Sequence, residues 1–164
     1  MKRRWRRRAG AALAIGLIAA AVAAVSATTQ PSDQVQLERL VTQVEQGFES
    51  KGVSPVMRAV APGYQDPEGL DRGDVYGIVC RLAREADSVD ITIREHHIEV
   101  DQDRATGYFD VVALVTHGSE RINWPMLLRV EFVRTQDAWW RPWSRRWQVE
   151  SVDGHGMSSW LDGP

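Results

Sequence analysis

The chain has 164 residues, 43% of them hydrophobic and 26% charged, with a formal net charge of −2. That is room for one domain with a core that needs no staples, and too little for two ordinary domains. The single cysteine, Cys80, excludes an intramolecular disulfide and any cysteine-based zinc site. Its place one helical turn from Tyr76 and Arg84 makes it a packing residue beside an apolar stripe rather than a reactive thiol.

The near-neutral charge conceals two unlike parts. Lys2, Arg3, Arg4, Arg6, Arg7 and Arg8 stand in the first 27 residues without an acid, so the other 14 basic residues face all 22 acids and the remainder carries −8. An acidic body offers no basic footprint for a phosphate backbone, so no nucleic-acid partner is expected. Behind the cations, residues 9–27 are uncharged and rich in alanine, and Val25-Ser26-Ala27 supplies the small residues a signal peptidase takes. The run is close to the lower limit of about 17 residues for a spanning helix, so a cleaved signal peptide and a retained anchor both stay open. Its strongly apolar members, such as Leu13, Ile15, Leu17 and Ile18, contribute only about −0.3 to −0.6 kcal/mol each on insertion. Six cations at an anionic inner leaflet are worth up to about 1 kcal/mol each, so charge fixes the orientation: amino terminus inside, body outside. Arg3-Arg4 lacks the apolar pair that follows a twin-arginine signal, which favours a Sec-type route. The expectation is export to a periplasmic or other extracytoplasmic location, anchored to the cytoplasmic membrane through residues 1–27 or released.

Residues 28–32 form a short linker. A first helix is predicted over 33–51, where Leu37, Leu40, Val41, Val44 and Phe48 fall on one face. Asp33 with Gln36 resembles a capping box, and Gly52 suits the left-handed position after the last turn. Ser54-Pro55 opens a second, short helix with Ser54 as its cap, and Val56, Met57 and Val60 give it an apolar side. After a polar loop, Asp71 caps a third helix that repeats Val75, Ile78, Val79, Leu82, Ala83 and Ala86 at helical spacing. None of the three is long enough to hold its shape alone, so each must dock.

Four strand-type runs follow, at 89–100, 105–116, 122–133 and 143–152. Val89, Ile91 and Ile93 share one face of the first, but Ile98 and Val100 have the opposite parity. Alternation of period two changes phase only through an extra residue, so a β-bulge is expected near 95–97. Residues 101–104 make a hairpin turn, while charged loops separate the later strands. The second strand is apolar on both faces around 111–115, as a covered central strand is. In the third, Leu128, Val130 and Phe132 oppose Arg129, Glu131 and Arg134, and Pro125 marks an edge or kink. The fourth places Trp143, Arg145, Trp147, Val149 and Ser151 together, and Asp153-Gly154 ends it, leaving a tail over 154–164.

This order of helix, short helix, the loop Gly63-Tyr64-Gln65-Asp66-Pro67-Glu68-Gly69, third helix and long hairpin resembles the nuclear transport factor 2-like (NTF2-like, SnoaL-like) superfamily over residues 33–153. The resemblance implies an α+β fold, three N-terminal helices packed on a strongly curved antiparallel sheet in a cone, often with an apolar pocket inside. It also implies relatives of two kinds: isomerase-, dehydratase- and cyclase-like enzymes, and members without known chemistry. Fold alone does not choose between them.

An isomerase-type site needs a carboxylate base and proton donors around an apolar cavity. Tyr64, Asp66, His97, Tyr108 and Asp110 are the available parts, with Trp124 as a pocket-lining or pocket-filling residue. Tyr64 and Asp66 read equally as anchors of their own loop. His97, Glu99 and Asp101 share strand parity, but ligands at i, i+2 and i+4 spread over about 13 Å, too wide for one metal ion. No metal and no cofactor are expected. The densest feature is Trp139-Trp140-Arg141-Pro142-Trp143, followed by Ser144-Arg145-Arg146-Trp147. Trp139, Trp140, Arg141 and Trp143 form either a self-stacked cation–π cluster that closes the cone or an exposed patch that meets a partner. Two functions remain. The leading one is a non-catalytic module of the cell envelope that binds an apolar small molecule or a protein, with a homodimer through the sheet as one form of assembly. The alternative is a small-molecule isomerase or dehydratase-like enzyme using the cone pocket.

Overall fold

The structure, a computed structural model, describes residues 31–136 and 145–155. Three helices, α1 (Asp33–Glu49), α2 (Val53–Ala59) and α3 (Arg72–Glu85), precede four strands, β1 (Ser88–Asp101), β2 (Arg104–His117), β3 (Glu120–Gln136) and β4 (Arg145–His155). All lie in one unit that begins at Asp33, and the strands pair antiparallel in chain order. The α+β class expected from the sequence is the one observed. The expected signal or anchor segment, residues 1–27, falls outside the described residues.

The helical stripes dock as their spacing requires. Leu37 is wholly buried, and its cluster includes Ile98, Phe109, Val111, Phe132 and Trp147, with Leu40 and Val41 packed beside it. Phe48 and Leu82 close a second group around Ala86, Val89 and Val115. Burying such side chains is worth about 1.5–3 kcal/mol each, which is what holds helices of this length. Gly47 lets α1 and α2 touch, because a Cβ there would meet Val56 Cγ2 at 2.8 Å. Gly107 does the same inside the sheet, where the Phe109 ring occupies the space of the missing side chain.

Several helix ends depart from the sequence reading. Asp33 lies within the first turn of α1, and its carboxylate serves a distant partner: it pairs with Arg134 of β3 and accepts from Trp147 Nε1 at 3.4 Å. Arg134, expected on the polar side of β3, instead lies 4.7 Å over the Trp147 ring. The left-handed residue after α1 is Lys51 (φ 54°) rather than Gly52, whose N–H closes back on Gly47 O at 2.7 Å. A side chain in that conformation costs about 1–2 kcal/mol. Lys51 offsets it by donating from Nζ to Ala86 O and Asp87 O at 3.2 and 3.3 Å, which ties the end of α1 to the start of β1. Gly52 takes the N-cap of α2, so Ser54 stands inside the first turn and does not cap it. Asp71 caps α3 as expected, in a reciprocal box with Asp74.

The phase change in β1 is real and sits slightly earlier than predicted. Arg94 is the extra residue, between the pairs Ile93↔Val111 and Glu95↔Asp110. A second bulge, not foreseen, makes Glu150 the extra residue of β4, between Glu131↔Ser151 and Phe132↔Val149. It moves Ser151 off the face of Trp147 and Val149 and brings Val152 onto it. β4 also runs past Asp153-Gly154 to His155. β2 and β3 are joined by a tight turn through Gly118 (φ 58°), not by a charged loop. Pro125 pairs with Val112 of β2, while the described pairing of β3 with β4 begins only at Leu127, so no β4 partner is recorded opposite the proline.

Candidate functional site

The α2–α3 connection packs along β4. Ala61 N–H donates to Val149 O and Gln65 N–H to Glu150 O, both on the bulged stretch of the strand. Gln148, only 3% exposed, donates from Nε2 to Arg58 O at 2.8 Å and accepts from Thr135 Oγ1 at 2.6 Å. Arg72 reaches Met57 O at 3.1 Å. Between them these two side chains satisfy carbonyls that the short α2 leaves open at its C-terminal end.

Tyr64 and Asp66 are brought together in this connection. The Asp66 carboxylate accepts from Leu70 N–H at 2.8 Å, while its own N–H donates to Leu70 O, closing a small loop that is buried at its base. Tyr64 packs with Met57 and Val60 and bonds the Val152 backbone. Burial, and then the Asp66 charge, push its hydroxyl up to about 12. Both side chains thus take part in fixing their own loop against β4.

The other candidates are elsewhere. His97, Tyr108 and Asp110 stand together on the outer side of the sheet, opposite the core. His97 pairs directly with Tyr108, and Asp110 alternates with the buried Phe109 and Val111. His97 Nε2 lies 3.2 Å from Glu99, both largely exposed. Trp124 is half-buried on the helix side, packed against the Ala86, Val89 and Val115 group. The six candidates therefore occupy three places and do not share one pocket. Among the described residues no group of three or more histidine, cysteine or carboxylate side chains has the geometry of a metal site. Trp139, Trp140, Arg141 and Trp143 lie outside the described residues.

Sequence reasoning chose the wrong histidine for the helix side. Because the bulge falls at Arg94, His96 shares the face of Ile98 and stacks on Phe109, with ring centroids 5.9 Å apart and planes at 10°. Phe109 in turn meets Phe132 edge-on, and Met126 packs against the same cluster. Gln148 was missed altogether, since a glutamine in a strand carries no mark of burial.

No family model matches the chain, and no curated protein matches it in sequence. The fold does have solved counterparts. An NTF2-like superfamily protein from Salmonella enterica serovar Typhimurium superposes with a TM-score of 0.61 at 9% identity, over 77% of this chain and 93% of that one. A candidate dehydratase of the NTF2-like family from Streptomyces avermitilis gives 0.61 at 14% identity, covering 76% and 97%. Bd1075 of Bdellovibrio bacteriovorus gives 0.58 at 9% identity and covers 73% of this chain, which spans 39% of that protein's length. The chain has the NTF2-like fold.

Proposed function

We propose that the chain is exported across the cytoplasmic membrane and works on its far side as a non-catalytic ligand-binding or assembly module. One observation carries the non-catalytic reading. Of the two carboxylates from which a base would be drawn, Asp66 is bound to Leu70 N–H and Asp110 lies on the outer side of the sheet. Phe109 meanwhile is buried in the core cluster between helices and sheet, with Met126 packed against it. Export rests on the cationic, acid-free start followed by the alanine-rich run. Among the described residues no helix is long and apolar enough to cross a membrane. The outer side of the sheet exposes Leu127 (66%) and Tyr108, a surface that suits a second copy. The Streptomyces avermitilis neighbour favours the second reading, a dehydratase-like enzyme.

Fusing residues 1–40 to a reporter active only outside the cytoplasm tests export: an active reporter supports it and a silent one overturns it. A thermal-shift screen of the protein against apolar metabolites and envelope components tests binding, since a specific ligand raises the melting point by mass action.

A further inference from the structure

Away from the NTF2-like interior, α1, α2 and the start of β4 enclose an open groove of about 640 Å³, within the range of small-molecule sites. Its lining includes three arginines, Arg39, Arg58 and Arg146, and among the described residues no acidic one. The amides of Gln43 and Gln46 line it as well, and Trp147 contributes to its wall.

The segregation of charge is the telling point. Residues beyond 27 carry −8, so acids outnumber bases in the body that forms this groove. α1 contains Asp33, Glu38, Glu45 and Glu49 and a single cation, Arg39. The cation is on the groove side and none of the four acids lines it. The only charged residue of α2, Arg58, is there too. Asp33, whose carboxylate reaches the Trp147 indole, is already held by Arg134. Gln43 is fixed toward α2 by donating to Pro55 O at 3.0 Å. Arginine forks match carboxylate and phosphate oxygens, and amide N–H groups add donors of the same polarity.

We infer that this groove binds a small soluble molecule bearing a phosphate or carboxylate group, with Arg39 and Arg58 as its principal contacts. The inference stands on the groove alone and is independent of export and of the absence of catalysis.

Isothermal titration of the full chain in detergent micelles tests it, with inorganic phosphate and with citrate at constant ionic strength. Saturable binding of either anion is expected, about tenfold weaker in Arg39→Gln and about a hundredfold weaker in R39Q/R58Q, since each substitution removes charge-assisted hydrogen bonds. Arg84→Gln, on α3 and outside the groove, should bind as the parent does. Arg39 and Arg58 are both exposed, so melting of the variants should stay close to the parent and confirm that binding alone has changed. Binding of neither anion, or equal affinity in R39Q/R58Q, would overturn the assignment.

Discussion

The two edges of the sheet are built on opposite principles. Along β4 the edge is covered: the α2–α3 connection hydrogen-bonds to Val149 and Glu150, Gln148 is buried beneath it, and Tyr64 docks on Val152. Along β1, past Ile93, no backbone partner is recorded on the outer edge among the described residues, and Arg94, Glu95, His96, His97 and Glu99 are all exposed. The difference teaches where polar residues matter. On β4 a polar side chain completes hydrogen bonds that water cannot reach; on β1 it only discourages pairing with another chain.

Three perturbations would sharpen or break that contrast. Gln148→Leu should have the largest effect, about 3 kcal/mol in denaturant melts, because buried carbonyls at the end of α2 lose their donor. A loss below about 1 kcal/mol would mean the covered edge is no different from the open one. Tyr64 gives a pH signature of the same edge. Its folded-state value, raised from 10.0 to about 12, means the stabilisation is complete below pH 10 and is lost as pH rises through 12. The full loss is about 2–3 kcal/mol, and Tyr64→Phe should flatten the alkaline slope between those limits. On the β1 edge, His97→Ala should change stability by less than about 0.5 kcal/mol, as expected of an exposed side-chain contact. A larger change would show that β1 is held by more than its ladder with β2.

Much of the fold was legible because it follows from periodicity. The stripe through Leu37 and the phase change between Ile93 and Ile98 could be read without coordinates, and both are present. The limits were equally physical. A bulge announces itself only as a parity change somewhere in a window, and misplacing it by a residue or two exchanges His97 for His96 on the helix side. The bulge at Glu150 left a fainter trace, a single parity change from Val149 to Val152 at the very end of the strand. Lys51 was passed over in favour of the glycine beside it because its compensating bonds reach Ala86 and Asp87, 35 and 36 residues away. Asp110, a candidate base from the sequence, takes the outward position between the buried Phe109 and Val111. The arginine groove was invisible for the opposite reason: Arg39, Gln43 and Gln46 on one face of α1 read as ordinary solvated residues until α2 and β4 are set beside them.

The contact at Gly47 bears on how that groove behaves. With no side chain of its own, Gly47 brings α1 directly against the Val56 and Pro55 side chains of α2, and Val56 leaves little slack for the two helices to close further. Arg39 and Arg58 hang from a clamped pair of rods. A molecule that settles between them meets a spacing decided at folding, and little of its binding energy is spent on drawing the walls together.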